Sequence, residues 1–191
     1  MNLVIAGVGG QGVLSIAAII TEAARREGLF VKQAEVHGMA QRGGSVQATI
    51  RLAPEPVASE LVPLASAALV IGLEPVEALR QAPFLATDGV VVTAAEPFEN
   101  LPEYPPLDEV HQAVTRVGGH LVEANRLARE AGSPRSANVV MVGAASPWLP
   151  IGESTIEDCI REGFAARGER MVEANRRAFR LGRDALSSAR A

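Results

Sequence analysis

The sequence predicts an α/β fold, and three observations predict it. A short apolar run, Asn2–Ala6, breaks into a glycine cluster and is followed at once by apolar residues at helical spacing. Further short apolar runs then alternate with segments of helical periodicity along the chain. The chain has 191 residues, 48% of them hydrophobic, which favours one domain over 1–191 with a core of ordinary size.

The elements follow in order. Asn2–Ala6 reads as a central strand. Leu14, Ile16, Ala17, Ile20, Ala23 and Ala24 recur at helical spacing and predict a helix over Val13–Arg26, which Gly28 would end. LFVKQAE (29–35) is a second strand, so the chain opens with a strand–glycine loop–helix–strand unit. Such a unit implies parallel strands joined by a right-handed crossover. SVQATIRL (45–52) puts Val46, Ala48, Ile50 and Leu52 on one face and predicts a strand whose other face is wetter. Ala68–Glu74 and Gly89–Ala94 are further strands, with a short helix near Pro75–Gln81 between them. Residues 97–106 are rich in proline and form an irregular connection. A short helix over Leu107–Thr115, a strand in GHLVEA (119–124) and a helix near Asn125–Glu130 come next. ANVVMVGAA (137–145) is apolar throughout, and periodicity does not separate buried strand from buried helix there. The spacing of Ser154 and Glu157 is that of a capping box opening a helix through about Ala166. A last helix covers Glu169–Arg180, so the C-terminal helices occupy 154–183.

Within GVGGQG, Gly7, Gly9 and Gly12 stand in G-x-G-x-x-G register between a strand and a helix, a Rossmann-like start. Glycines there let backbone N–H groups approach a pyrophosphate at the helix N-terminus. That makes Gly7, Gly9, Gly10, Gln11 and Gly12 candidate cofactor-binding residues. Glu35 stands roughly where a ribose-binding acid would, about 23 residues past Gly12. The same glycines would equally serve to pack the first helix on the sheet, so both readings stand.

A second stretch, EVHGMAQRGGSV (35–46), is polar and glycine-bearing between two apolar strands. Its candidate residues are Glu35, His37, Met39, Gln41, Arg42, Gly43 and Gly44, as a loop facing a substrate or a partner chain. An exposed Met beside Gln, Arg and glycines suits a contact with another chain or a ligand. No reaction centre assembles around it. His37, His111 and His120 are scattered, and no H-x-x-x-H, C-x-x-C or G-x-S-x-G spacing occurs, so neither a metal site nor a hydrolase nucleophile is expected. No catalytic residue is assigned. Cys159 falls at an apolar helix position and reads as a small buried hydrophobe. The arginines of the last helices read as a solvated face, with docking of an acidic partner as the minority reading.

Composition excludes other classes. A net charge of −4 argues against a nucleic-acid protein held by phosphate contacts. A single cysteine allows no internal disulfide and no cluster needing about four thiolates, and it fits a reducing, cytoplasmic setting. The first residues lack the basic region of a signal peptide, and no apolar stretch is long enough to span a membrane. A fold with a phosphate-friendly loop but no self-sufficient catalytic set points to a subunit.

The paired motifs GVGGQGVL (7–14) and EVHGMAQRGGSV (35–46), with EANRRAFRLG (173–182) near the end, resemble the gamma-type domain of the 2-oxoacid:ferredoxin oxidoreductases. Within that superfamily the chain is most similar to the beta subunits of the indolepyruvate ferredoxin oxidoreductases. Relatives acting on pyruvate or 2-oxoglutarate usually carry a tyrosine–glycine–proline version of the second motif, where this chain has His37-Gly38-Met39. The likeness spans nearly the whole chain and is thinnest at about 95–120.

The resemblance implies a three-layer α/β/α domain with a mixed, mostly parallel sheet. It implies a complex that decarboxylates an aryl pyruvate oxidatively with coenzyme A as co-substrate and reduces ferredoxin. Thiamine diphosphate, Mg²⁺ and iron–sulfur clusters would sit on a larger alpha subunit, with none of them bound by this chain alone. The Glu35–Val46 loop would then pack near substrate or coenzyme A, with Arg42 pairing with a carboxylate or phosphate. The competing expectations are a free-standing NAD(P)-binding oxidoreductase built on the glycine loop and Glu35, and an assembly scaffold without any site contact.

Overall fold

The computed structural model describes residues 1–38, 43–98 and 103–187. Among them are six strands: β1 (Asn2–Val8), β2 (Phe30–His37), β3 (Ser45–Ala53), β4 (Ala67–Gly72), β5 (Leu85–Ala94) and β6 (Gly119–Val122). The α-helices are α1 (Val13–Arg26), α2 (Pro75–Leu79), α3 (Leu107–Arg116), α4 (Ala124–Glu130), α5 (Ala137–Ala145), α6 (Glu153–Phe164) and α7 (Glu169–Leu186).

The strands form one sheet in the order β2-β3-β1-β4-β5-β6. β1, β4, β5 and β6 pair in parallel, whereas β3 runs antiparallel to both its neighbours, β1 and β2. The opening unit therefore differs from its simplest form. β1 and β2 point the same way, but the antiparallel β3 lies between them, so β2 is an edge strand and half of a β2–β3 hairpin. The loop of that hairpin is the second motif.

Helices cover both faces unequally. Leu3, Ile5, Ala48, Ile50, Leu69, Ile71 and Val92 point to one face, where α1, α4, α5, α6 and α7 bury them in the main core. Val4, Val70 and Val91 point to the other, where α2 gives Ala78 to a smaller cluster, and α3 packs on α2 and β6. The architecture is thus α/β/α with a mixed, mostly parallel sheet. Leu14 departs from the expected apolar stripe of α1: it is exposed, while Ile19 faces inward in the first half of the helix.

Three boundaries differ from expectation, each for a local reason. β4 ends at Gly72 because Glu74 turns to cap α2, its carboxylate accepting the Glu77 N–H at 2.7 Å. β5 starts at Leu85, ahead of Gly89, and its register with β4 slips between Ala67 and Leu69. α6 starts at Glu153 with Gly152 as its N-cap, so Ser154 and Glu157 do not form a capping box. Glu157 is drawn instead to α7, where Arg180 (2.6 Å) and Arg176 (3.1 Å) clamp it. The end of α6 is satisfied from α1: one oxygen of Glu27 accepts the Gly152 N–H (3.1 Å) and the Thr155 hydroxyl (2.6 Å). The undecided segment 137–145 is helical, and Val139–Ala145 are all buried. A helix wrapped on every side has no polar face to show its period.

The arginines of the last helices are less free than a solvated face implies. Arg161, Arg176, Arg180 and Arg183 all form ion pairs within the chain. Among the described residues no helix is long and apolar enough to cross a membrane.

Candidate functional site

The two motifs meet. β1 delivers the glycine loop to the C-terminal edge of the sheet, and the β2–β3 hairpin delivers its loop to the same place. Gly9 N–H donates to the Gly44 carbonyl at 2.8 Å, and Gly43 N–H donates to the Gly9 carbonyl at 3.3 Å. A reciprocal pair of backbone bonds therefore latches one motif to the other. The pairing of Val8 with Ser45 carries the β1–β3 ladder up to the latch. The Ser45 hydroxyl then donates at 2.6 Å to the buried Glu77 carboxylate of α2, fixing the hairpin from the opposite face.

Inside the glycine loop most features are structural. Gln11 braces it: its side-chain oxygen accepts the Val8 N–H (2.7 Å) and its amide donates to the Leu73 carbonyl (2.9 Å), tying the ends of β1 and β4. Gly7 packs against Gln11, Leu73 and Val13 with no room for a side chain. Gly12 caps α1 with φ +90°, and a Cβ there would lie 2.4 Å from the Asn138 amide nitrogen of α5. Glycine is thus required at 12 by backbone conformation and by close approach together. Gly10 turns with φ +104° into open space.

Two clefts flank this loop. One, of about 360 Å³, is lined by Gly9, Gly10, Gly12, Leu14, His37 and Val46. The other, of about 430 Å³, opens over the ends of β1, β4, β5 and β6, where ligands of open α/β sheets bind. Gly10 and Gln11 line it with Glu96, Asn125, Arg135 and Asn138. Glu96 holds the start of α4, one oxygen accepting the Asn125 N–H at 2.9 Å. Its other oxygen is buried without a hydrogen-bond partner among the described residues. Sequence reasoning missed Glu96, Asn125, Arg135 and Asn138. No motif marks them, because they come together only through the strand order.

Of the other candidate residues, His37 is exposed with its ring Nδ1 3.2 Å from the Gly38 carbonyl oxygen. Glu35 is exposed and accepts from the Gln33 amide at 2.7 Å. Met39, Gln41 and Arg42 lie outside the described residues. Glu35 also bears on the dinucleotide expectation. With β3 inserted, β2 stands two strand spacings, roughly 10 Å, from β1, where a dinucleotide fold has it adjacent.

The remaining histidines serve locally. His111 Nε2 lies 2.8 Å from the Ala95 carbonyl oxygen, and His120 stacks on Trp148. Among the described residues no group of His, Cys, Asp and Glu has the arrangement of a metal site. Cys159 is buried, and burial pushes its thiol pKa up, which keeps it protonated and inert.

Comparison with known proteins bears on the family and the fold. Residues 2–185 match the family model described as pyruvate ferredoxin/flavodoxin oxidoreductase. Over 192 residues the chain is 41% identical to the indolepyruvate oxidoreductase subunit IorB of Thermococcus kodakarensis, covering 95% of this chain and 93% of the relative. Among solved structures, the gamma subunit of a keto/oxoacid ferredoxin oxidoreductase from Geobacter sulfurreducens superposes with a TM-score of 0.70 at 21% identity, covering 98% of each chain. The 2-oxoglutarate:ferredoxin oxidoreductase of Magnetococcus marinus gives 0.76 at 22% identity, covering 99% of this chain but 31% of the other.

Proposed function

The chain belongs to the pyruvate ferredoxin/flavodoxin oxidoreductase family, and on that premise we propose that its latched loops serve the active site of a larger partner subunit. It is a subunit of a 2-oxoacid:ferredoxin oxidoreductase of the indolepyruvate type. The reaction proposed for the complex turns an aryl 2-oxoacid, coenzyme A and oxidised ferredoxin into an aryl-acetyl-CoA, carbon dioxide and reduced ferredoxin, in the cytoplasm.

The cofactors are assigned to a larger alpha subunit. A thiamine diphosphate there supplies the nucleophile and electron sink for decarboxylation. This chain does not fit the role of cluster carrier. Its one cysteine is buried in α6, and iron–sulfur clusters take about four thiolates.

What this chain contributes is a rigid, water-excluding wall. The carrying observation is the reciprocal Gly9–Gly44 and Gly43–Gly9 latch, which holds Gly43 and Gly44 against the glycine loop. The described residues on either side of 39–42, His37 at the end of β2 and Gly43 and Gly44 in the latch, are held in place. Within this reading Arg42 pairs with the carboxylate of the oxoacid or a phosphate of coenzyme A, and Met39 and Gln41 pack against the partner. His37 flanks the loop without acting as a base.

The test is turnover of the reconstituted two-subunit complex carrying Arg42→Ala. Assembly is expected to be normal and kcat/KM for the oxoacid or coenzyme A to fall by about a hundredfold, the usual cost of a lost charged hydrogen bond. Normal assembly with unchanged turnover would falsify the reading.

A further inference from the structure

The β2–β3 hairpin has one face that this chain covers only in part. On the main-core side Val46, Ala48, Ile50 and Leu52 meet α1. On the other side, α2 and α3 pack mainly over β1, β4, β5 and β6, and α2 meets the hairpin at Ser45 through Glu77. That side of β2 presents Phe30, Lys32, Ala34 and Val36 in alternation. Phe30 is 48% exposed and Val36 64%. A crossing segment adds to the patch. Arg51, on the same face of β3, holds the Ser59 carbonyl at 3.0 Å and the Leu61 carbonyl at 3.4 Å. Val62 is buried there, while Leu61 stays 70% exposed.

We propose that this partly covered face of the hairpin, centred on Phe30, Val36 and Leu61, is the docking surface for the larger subunit of the complex. The inference rests on the reading above, which puts the hairpin loop at the partner's active site. Val36 lies two residues before Gly38, so the patch runs continuously into that loop. The Magnetococcus relative supplies a second argument. There a fold like this one takes up 31% of a longer chain, so it is found joined to further polypeptide.

The chemistry of the strip favours a face-on partner over strand addition. Lys32, the only lysine of the chain, sits mid-strand on an edge, where a charge discourages another strand from pairing. The expected partner surface is apolar at its centre with a polar rim, carrying an acidic group opposite Lys32.

The test co-expresses this chain with the larger subunit and measures their affinity for Phe30→Asp, Val36→Asp and Leu61→Asp. Arg177→Asp, on the outer face of α7, is the control. Circular dichroism and Tm of each free chain report folding. Assembly is expected to weaken by about tenfold or more for Val36→Asp, with the control unchanged. Folded variants that all assemble like the wild type would overturn the proposal. So would variants that alter only self-association of the free chain, since a second copy would then cover the face.

If a variant fails to fold, hydrogen exchange on the wild type decides. Slower exchange over 30–36 and 59–62 on complex formation supports docking there, and unchanged exchange refutes it. The two readings fail separately: Arg42→Ala tests turnover in an assembled complex, whereas these variants test assembly.

Discussion

Glycines shape this molecule in two places, and they do different work. At the C-terminal edge of the sheet, Gly9, Gly10 and Gly12 bend a loop that meets a second loop and borders two clefts. In the helical layer, Gly143 of α5 and Gly182 of α7 face each other's helices. A Cβ on Gly143 would lie 1.9 Å from the Phe179 carbonyl oxygen, and one on Gly182 would lie 2.0 Å from that of Val140. The first set gives the chain a conformation, with close approach added at Gly12, and the second gives it proximity alone. A glycine in a loop thus does not by itself mark a ligand, and a glycine in a helix is not by itself a weakness.

Four experiments press on that contrast. The seam should be the more costly place to add a methyl group, because backbone rather than a mobile side chain blocks it. Gly143→Ala or Gly182→Ala is expected to cost about 3 kcal/mol or more, a Tm drop of roughly 6–12 °C by calorimetry. A loss below about 1 kcal/mol would show that the helices part easily and would erase the difference. Gly12→Ala comes next, at about 2 kcal/mol, combining left-handed strain with the Asn138 contact. Pairing it with Asn138→Ala should recover the contact share and leave about 1 kcal/mol of strain.

Gly10→Ala meets no neighbour, so denaturant titration should show only about 1 kcal/mol, the strain alone. If the loop serves the partner's site, its turnover in the complex falls further than its stability does. The smallest effect concerns the seam's outer side. Arg180 and Arg176 hold the Glu157 carboxyl below its ordinary pKa. A depressed carboxylate stabilises the fold above the usual carboxylate range, and that gain is lost as pH falls through and below it. Thermal unfolding of wild type and Glu157→Gln should therefore differ at neutral pH and converge in acid. Curves that stay parallel down to acid pH would mean that the clamp contributes little.

Much of the first half was legible because its signals are local. The run Asn2–Ala6, the glycines after it and the spacing of Val13–Arg26 each specify a neighbour in sequence. What could not be read was adjacency: nothing in residues 29–53 says that β3 enters between β1 and β2, since that depends on which edges are free after the hairpin folds. The same holds for the second cleft, whose Glu96, Asn125, Arg135 and Asn138 come from separate connections. The Gly143–Gly182 seam was hidden for another reason. Each glycine sits alone in an ordinary helix, and only the crossing of α5 and α7 explains either one. Ser154 and Glu157 carried the right spacing for a cap, but two arginines from a later helix outcompeted it. The resemblance through paired motifs carried the family because it needed no packing information.

The insertion of β3 also bears on the order of assembly. β1 is the most enclosed strand, with Leu3, Val4, Ile5 and Ala6 fully buried, yet both of its neighbours follow it in the chain. The β2–β3 hairpin closes over a short loop and forms from residues close in sequence, while the β1–β4 pair joins Leu3 to Leu69. The antiparallel partner of β1, β3, thus lies nearer in sequence than its parallel partner β4, so the β1–β3 pairing is the more local of the two.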